Sequence, residues 1–398
     1  PVSPRLIPLD ADPVRISKRP VTFINSIGVQ RAASARSELR KRYDGGAATE
    51  TAVMRALRWL KKNQQADGSW KNQKIAMTGL AVLTFLAHGE KPGDSPEFGE
   101  SVRRALEFLM RSQKGDGRFQ GADGNEYAHP IATYALCEAY GMTLNPNIKT
   151  AAGRALVPII QGQHPTGGWT YRMLADVDKE SGKYRDDTSY MGWCAQALKA
   201  AHMAQLRIGG LEKATKLAII GFKANAHPNG GFGYTGAGQG GLTGVGTLCL
   251  QLLGASDESA VKKSLALMDN WEPSFNAKNT LGSSPQYYCY YATQAKFHAG
   301  GKRWENWNRE MQALYTKTQQ VEKNAVKDDR GQDADVGWWA NGDAHTDRPV
   351  MDTCLAALQL MVYYRYLPTT SKAAVHADVA LAATATDTND IQVITGTL

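Results

Sequence analysis

The chain is predicted to be all-α, a single α/α toroid of six helical hairpins flanked by extended N- and C-terminal arms. Three observations predict it. Five helical stretches each run into a Gly-then-aromatic turn, a small-residue apolar stretch follows every turn, and the turns recur at a regular spacing. They read DGSW (Asp67 to Trp70), DGRF (Asp116 to Phe119), GGW (Gly167 to Trp169), GGF (Gly230 to Phe232) and GWW (Gly337 to Trp339). The aromatic-to-aromatic steps are about 49, 50 and 63 residues (70 to 119, 119 to 169, 169 to 232). The last gap, about 106 residues (232 to 338), fits two units, so a sixth turn is expected between Trp271 and Leu281.

Each unit pairs an amphipathic outer helix with an apolar inner one. In the first, Val53, Ala56, Leu57 and Leu60 share one helical face, opposite Arg55, Arg58, Lys61 and Lys62. Asp67 and Gly68 break that helix. Ile75 to Ala87 is nearly charge-free, as a helix buried on all sides must be. The second unit repeats this with Val102 to Leu109 and Ile131 to Tyr140. The third pairs Ala155 to Ile160 with Tyr190 to Ala201, and the fourth Ala218 to Phe222 with Val245 to Leu253. The fifth pairs Ser264 to Met268 with Tyr287 to His298, and the sixth Met311 to Thr318 with Met351 to Tyr366. Six such hairpins can close so that every inner helix has two neighbours, with the turn aromatics as wedges. The toroid is expected over residues 46–368.

The arms lie outside the repeat. Residues 1–45 are basic and rich in Pro and Arg, with a strand-like stretch at Val21 to Val29; residues 369–398 are Ala/Thr-rich and end in the β-branched run Ile391 to Leu398. They are expected to mediate self-association or docking on a protein partner. The chain begins with Pro rather than Met, which points to a processed start and favours an exported or envelope location over a cytoplasmic one.

Composition narrows the function classes. A net charge of +8 over 398 residues is modest, and no nucleic-acid motif accompanies it. No apolar run is long enough for a membrane span. Cys137, Cys194, Cys249, Cys289 and Cys354 fall one in each of inner helices two to six, which marks them as small core residues. By repeat position Tyr127, His129, Tyr190, Trp193, Tyr287, Tyr288, Trp338 and Trp339 are placed toward the funnel, as a lining for an apolar ligand. The Gly-rich stretch Gly236 to Gly246 lacks the form of a phosphate loop.

Gln64, Gly68 and Trp70, echoed by Gln113, Gly117 and Phe119, resemble the QW motif of squalene and terpene cyclases. The six-hairpin layout also resembles protein prenyltransferase β-subunits and bacterial squalene-cyclase-like repeat proteins. The resemblance spans about four-fifths of the chain and implies fold more than chemistry. It also suggests two sites. Tyr184 to Ser189 resembles the D-x-D-D-T-A segment of class II cyclases, which makes Asp186 the proton donor and Asp187 its neighbour, although Tyr184 replaces the first acidic residue and Arg185 adjoins the acid. A helix cap at Asp187, Thr188 or Ser189 accounts for the same residues. Asp176 and Asp178 read as a charged loop. Asp352 and Cys354 match the D-x-C spacing of the prenyltransferase zinc site, with His345 as a third ligand; otherwise no cofactor is expected. Because both signatures are broken, a non-catalytic toroid that binds a partner or apolar ligand and assembles through its arms is expected first. The alternative is an isoprenoid-processing enzyme, either terpene cyclase-like or zinc prenyltransferase-like.

Overall fold

The structure, a computed structural model, describes residues 31–120, 126–171, 183–275, 284–340 and 349–365. A helix α1 (Ala33–Arg42) precedes six hairpins. Their outer helices are α2 (Ala47–Lys62), α4 (Gly99–Ser112), α6 (Pro146–Gln161), α8 (Leu211–Ala224), α10 (Ser259–Met268) and α12 (Gly301–Thr318). The inner helices are α3 (Lys74–His88), α5 (Ala128–Thr143), α7 (Thr188–Met203), α9 (Thr243–Leu252), α11 (Pro285–Ala299) and α13 (Pro349–Leu360). A short α14 (Val362–Arg365) follows. Each inner helix packs on the next, and α13 packs on α3, so the ring is closed.

The inner helices run parallel. Gln286 of α11 reaches the Asp352 carbonyl of α13 near both helix starts, and Thr293 reaches Gln359 near both ends. The same meeting of helix starts recurs between α3 and α5, where Gly79 abuts Ile131, and between α7 and α9, where Gly192 abuts Val245.

The repeated turn forms the joint between hairpins. Gly68, Gly117, Gly167 and Gly230 all have positive φ and press on the next outer helix: a Cβ at any of them would overlap the carbonyl of Arg104, Arg154, Leu217 or Lys263 respectively. The glutamine of the motif makes a second tie. Gln64, Gln113 and Gln163 each donate to their own turn glycine carbonyl and to the next outer helix, at Ser101, Ala151 and Ala214. Trp70 and Trp169 are buried, and their indole N–H groups bind the Leu60 and Ile159 carbonyls at the end of the preceding outer helix. The wedge is thus hydrogen-bonded as well as apolar.

Several features depart from the expectations. In the last turn the equivalent aromatic is Trp339, which is buried and bonded to the Tyr315 carbonyl, and not Trp338. The shift arises because α12 leads into an antiparallel hairpin of β1 (Gln320–Lys327) and β2 (Asp333–Trp338), which packs against α2. Trp338 ends β2 and stacks on Trp59, 6.1 Å between ring centroids. In the fifth unit, Trp271 packs edge-on against Tyr288, 5.3 Å between centroids. The basic arm is helical at its end: α1 lies on α14, and Arg31 is buried against the C-terminal ends of α3 and α5. All five cysteines are buried and free. Among the described residues no helix is long and apolar enough to cross a membrane. Val21 to Val29, Asp176 to Asp178, His345 and Ile391 to Leu398 lie outside the described residues, as does most of both arms.

Candidate functional site

The start of α7 carries the acidic pair. Asp187 is its N-cap: the carboxylate accepts the Tyr190 N–H at 3.0 Å, so of the three candidate caps this one is used. Asp187 lies on extended backbone. Asp186 turns toward the third turn, its carboxyl pressed on Gly168 and one oxygen 2.6 Å from His164 Nδ1. The Tyr184 ring stacks on that imidazole at 4.8 Å. Arg185, expected to adjoin the supposed acid, instead lies over the Tyr234 ring, 5.4 Å from its centroid. Asp186 retains 7% exposure and Asp187 none. His164 was not singled out from sequence, because it belongs to the turn of the same repeat and only the fold brings it to Asp186. Its adjacency to Gln163, the motif glutamine, is the one signal that could have pointed there.

The Asp187 charge is felt by several phenols near the start of α7. Burial first, then the neighbouring Asp187 carboxylate, raises the Tyr234 phenol above its ordinary range. Burial and, after it, the Asp187 charge push the Tyr127 phenol up to about 12, while burial and, after it, the neighbouring Tyr127 raise the Tyr171 and Tyr287 phenols. These phenols stay protonated and form a hydroxyl chain. Tyr234 lies 2.6 Å from Tyr171, Tyr171 3.3 Å from Tyr127, Tyr127 2.9 Å from Ser189, and Ser189 3.3 Å from Tyr287. The chain continues through Tyr291, Gln196 and Tyr290 to Arg365. There Glu138 is held by Arg31 at 3.1 Å and Arg365 at 3.6 Å. Trp193 stacks on Tyr290, and Tyr190 meets Tyr127 and Tyr171 edge-on.

Of the residues assigned to the funnel from sequence, the fold brings Tyr127, Tyr190, Trp193 and Tyr287 together. It sets the other four in the walls. His129 accepts the Phe119 N–H, and burial with the nearby Arg118 charge lowers it to about 4. Tyr288 packs between Trp271 and Trp307, Trp339 is the wedge of the last turn, and Trp338 lies on β2. Tyr171 and Tyr234 were missed: each follows a turn aromatic by two residues, a position that has no periodic signal.

At the metal candidate, Asp352 and Cys354 are buried on α13 and His345 lies outside the described residues. Burial pushes the Cys354 thiol up to about 12. Among the described residues no three His, Cys, Asp or Glu side chains gather as a metal site.

At the same mouth as Asp187, a cavity of about 500 Å³ is lined by residues Phe232 to Leu242. Tyr234 belongs both to this lining and to the hydroxyl chain, and its carbonyl accepts the Thr188 N–H at the start of α7.

No family model matches the chain. In sequence it is similar to drimenyl diphosphate synthase of Streptomyces showdoensis, 33% identical over 129 residues, which are 30% of this chain and 23% of that protein. It is also similar to enfumafungin synthase of Hormonema carpetanum, 24% identical over 186 residues, 39% of this chain and 14% of that protein. The chain thus matches less than a quarter of the length of either relative. Among solved structures, a type II terpene cyclase of Scytonema in complex with geranylgeranyl dihydroxybenzoate aligns over 87% of this chain and 86% of that one, at 13% identity and a TM-score of 0.34, too distant to carry an argument. The resemblance to the squalene and terpene cyclase superfamily seen in the turns is met independently by the two sequence relatives.

Proposed function

We propose that this toroid is an isoprenoid-processing domain that starts its chemistry by protonating an alkene at the mouth where α7 begins. Both sequence relatives are synthases of terpene type, which supports the isoprenoid alternative over the non-catalytic toroid expected first. The observation that carries the proposal is the division of roles within the acidic pair. Asp187 is occupied as a helix cap, whereas Asp186 is largely buried, with one oxygen held 2.6 Å from His164. Two carboxyls in different surroundings at one site are the usual arrangement for separate acid and anion duties.

In the proposed step the Asp186 O–H bond breaks and its proton bonds to one alkene carbon. The π pair forms the new C–H bond, the other carbon becomes a cation, and Asp186 is left as carboxylate. Aromatic faces of the kind gathered in the lumen, Tyr127, Tyr190, Trp193 and Tyr287, stabilise such a cation. His164 acts as a positioning residue that fixes the Asp186 carboxyl.

The test is turnover of squalene, geranylgeraniol and geranylgeranyl diphosphate, read by mass spectrometry, with Asp186→Asn and Asp187→Asn. Both substitutions keep size and hydrogen bonding, and Asn still caps a helix. Asp186→Asn is expected to lower the rate by about 10²-fold or more, the usual worth of a general acid. Asp187→Asn is expected to cost much less. Equal activity in Asp186→Asn and wild type would refute the assignment. Absence of any product from the wild type would return the chain to the non-catalytic reading.

A further inference from the structure

Resting on the isoprenoid reading, we infer that the cavity beside Tyr234 selects an isoprenoid with a neutral hydroxyl or phenol head and rejects a diphosphate head. Among the described residues the lining, Phe232 to Leu242, contains no charged side chain. Its volume of about 500 Å³ lies within the range of about 300–1,000 Å³ typical of small-molecule sites. Phe232 and Leu242 supply apolar surface, and five glycines let the ligand approach the backbone closely.

The one phenol in the lining is Tyr234. It is 43% exposed and forms the end of a hydroxyl chain that runs inward through Tyr171, Tyr127 and Ser189. A phenol both donates and accepts, and so does an alcohol. A neutral head can therefore extend the chain by one member in either direction. A diphosphate only accepts, and it would bring several negative charges to a wall backed by Asp187, whose charge already raises the Tyr234 phenol. The nearest cation among the neighbours of Tyr234, Arg185, lies over the face of its ring and outside the lining. Diphosphate sites ordinarily gather several cations or a metal, and among the described residues no such group forms this wall.

Equilibrium binding of geranylgeraniol and geranylgeranyl diphosphate to the full chain, with and without magnesium, tests the inference. Quenching of tryptophan fluorescence and calorimetry both give the readout. The alcohol is expected to bind at least tenfold more tightly than the diphosphate in either condition. Tyr234→Phe, which keeps the ring and removes the hydroxyl, should weaken the alcohol severalfold and leave the diphosphate unchanged. Equal or tighter diphosphate binding overturns the inference while leaving the isoprenoid reading standing, as does a Tyr234→Phe variant that binds the alcohol like wild type. Failure of the wild type to bind either compound overturns both.

Discussion

His88, the last residue of α3, lies between two carboxylates, with Nδ1 2.6 Å from Glu90 and Nε2 3.1 Å from Glu50. Glu50 also pairs with Arg40 of α1, and Arg36 of α1 donates to the His88 carbonyl. Tyr364 meets the imidazole edge-on. Burial alone would raise Glu50, but His88, Arg40 and Arg36 outweigh it and bring Glu50 to about 2. Burial would likewise lower His88, yet its two carboxylates raise it. Glu50 therefore adds stability that is complete above the ordinary carboxylate range and fades as pH falls from about 4.5 toward about 2. His88 adds stability that is complete below about 6.5 and fades as pH rises through its raised folded value. Hydrogen exchange corrected for intrinsic rates should accordingly show α1 best protected near pH 5–6, and less so at about pH 9. His88→Gln should lose the alkaline change, and a flat profile in the wild type would refute the coupling. Residues of this kind were not legible in the sequence, because Glu50, His88 and Arg36 become neighbours only through tertiary packing. The Asp187 cap was legible, since it follows from the start of its own helix.

Elements with a strong period were legible to within a few residues, and those without one were not. The inner helix expected at Ile75 to Ala87 is found at Lys74–His88. By contrast, α1 has no fully buried residue within it and little amphipathic pattern, so its composition read as an arm. β1 is almost wholly exposed and charged, and it sits where the repeat called for a simple turn. The turns themselves were visible, but their role as joints was only half visible, because the carbonyl that each glycine touches belongs to the next unit. That contact makes a test within a single turn. Gly117 has φ 87° and no room for a Cβ beneath the Arg154 carbonyl, whereas Gly115 has nothing within 4 Å of the same position. Gly117→Ala is expected to destabilise by about 2–4 kcal/mol, from left-handed strain plus overlap with backbone. Gly115→Ala should change stability by less than about 0.5 kcal/mol. Thermal melts of the two variants check this, and equal shifts would show that the turn is not the joint.

Spacing alone indicated six units, even though one turn has no Gly-aromatic mark, because a ring of hairpins tolerates a missing motif where Trp271 and Tyr288 supply the packing. What spacing could not reveal is whether the seam between the last unit and the first is as strong as the others. At that seam Gln319 donates to the Ala52 carbonyl at 2.8 Å, taking the place that Gln113 takes toward Ala151. Gln312 bonds the Asp44 carbonyl at 2.6 Å, and Arg55 pairs with Asp335 at 2.7 Å. In an open stack the terminal repeats have one neighbour each and fray first, so a seam glutamine would contribute nothing. In a closed ring no repeat is terminal, and removing either glutamine loses a hydrogen-bonded tie between units, at a cost of about 0.5–1.5 kcal/mol. Gln113→Leu and Gln319→Leu should therefore lower Tm by similar amounts, roughly 1–6 °C, each within one cooperative transition. Hydrogen exchange in Gln319→Leu should loosen α2 and α12 together, since they share the seam. A Gln319→Leu protein that melts like wild type while Gln113→Leu does not would mean that the ring is held shut by its inner helices alone.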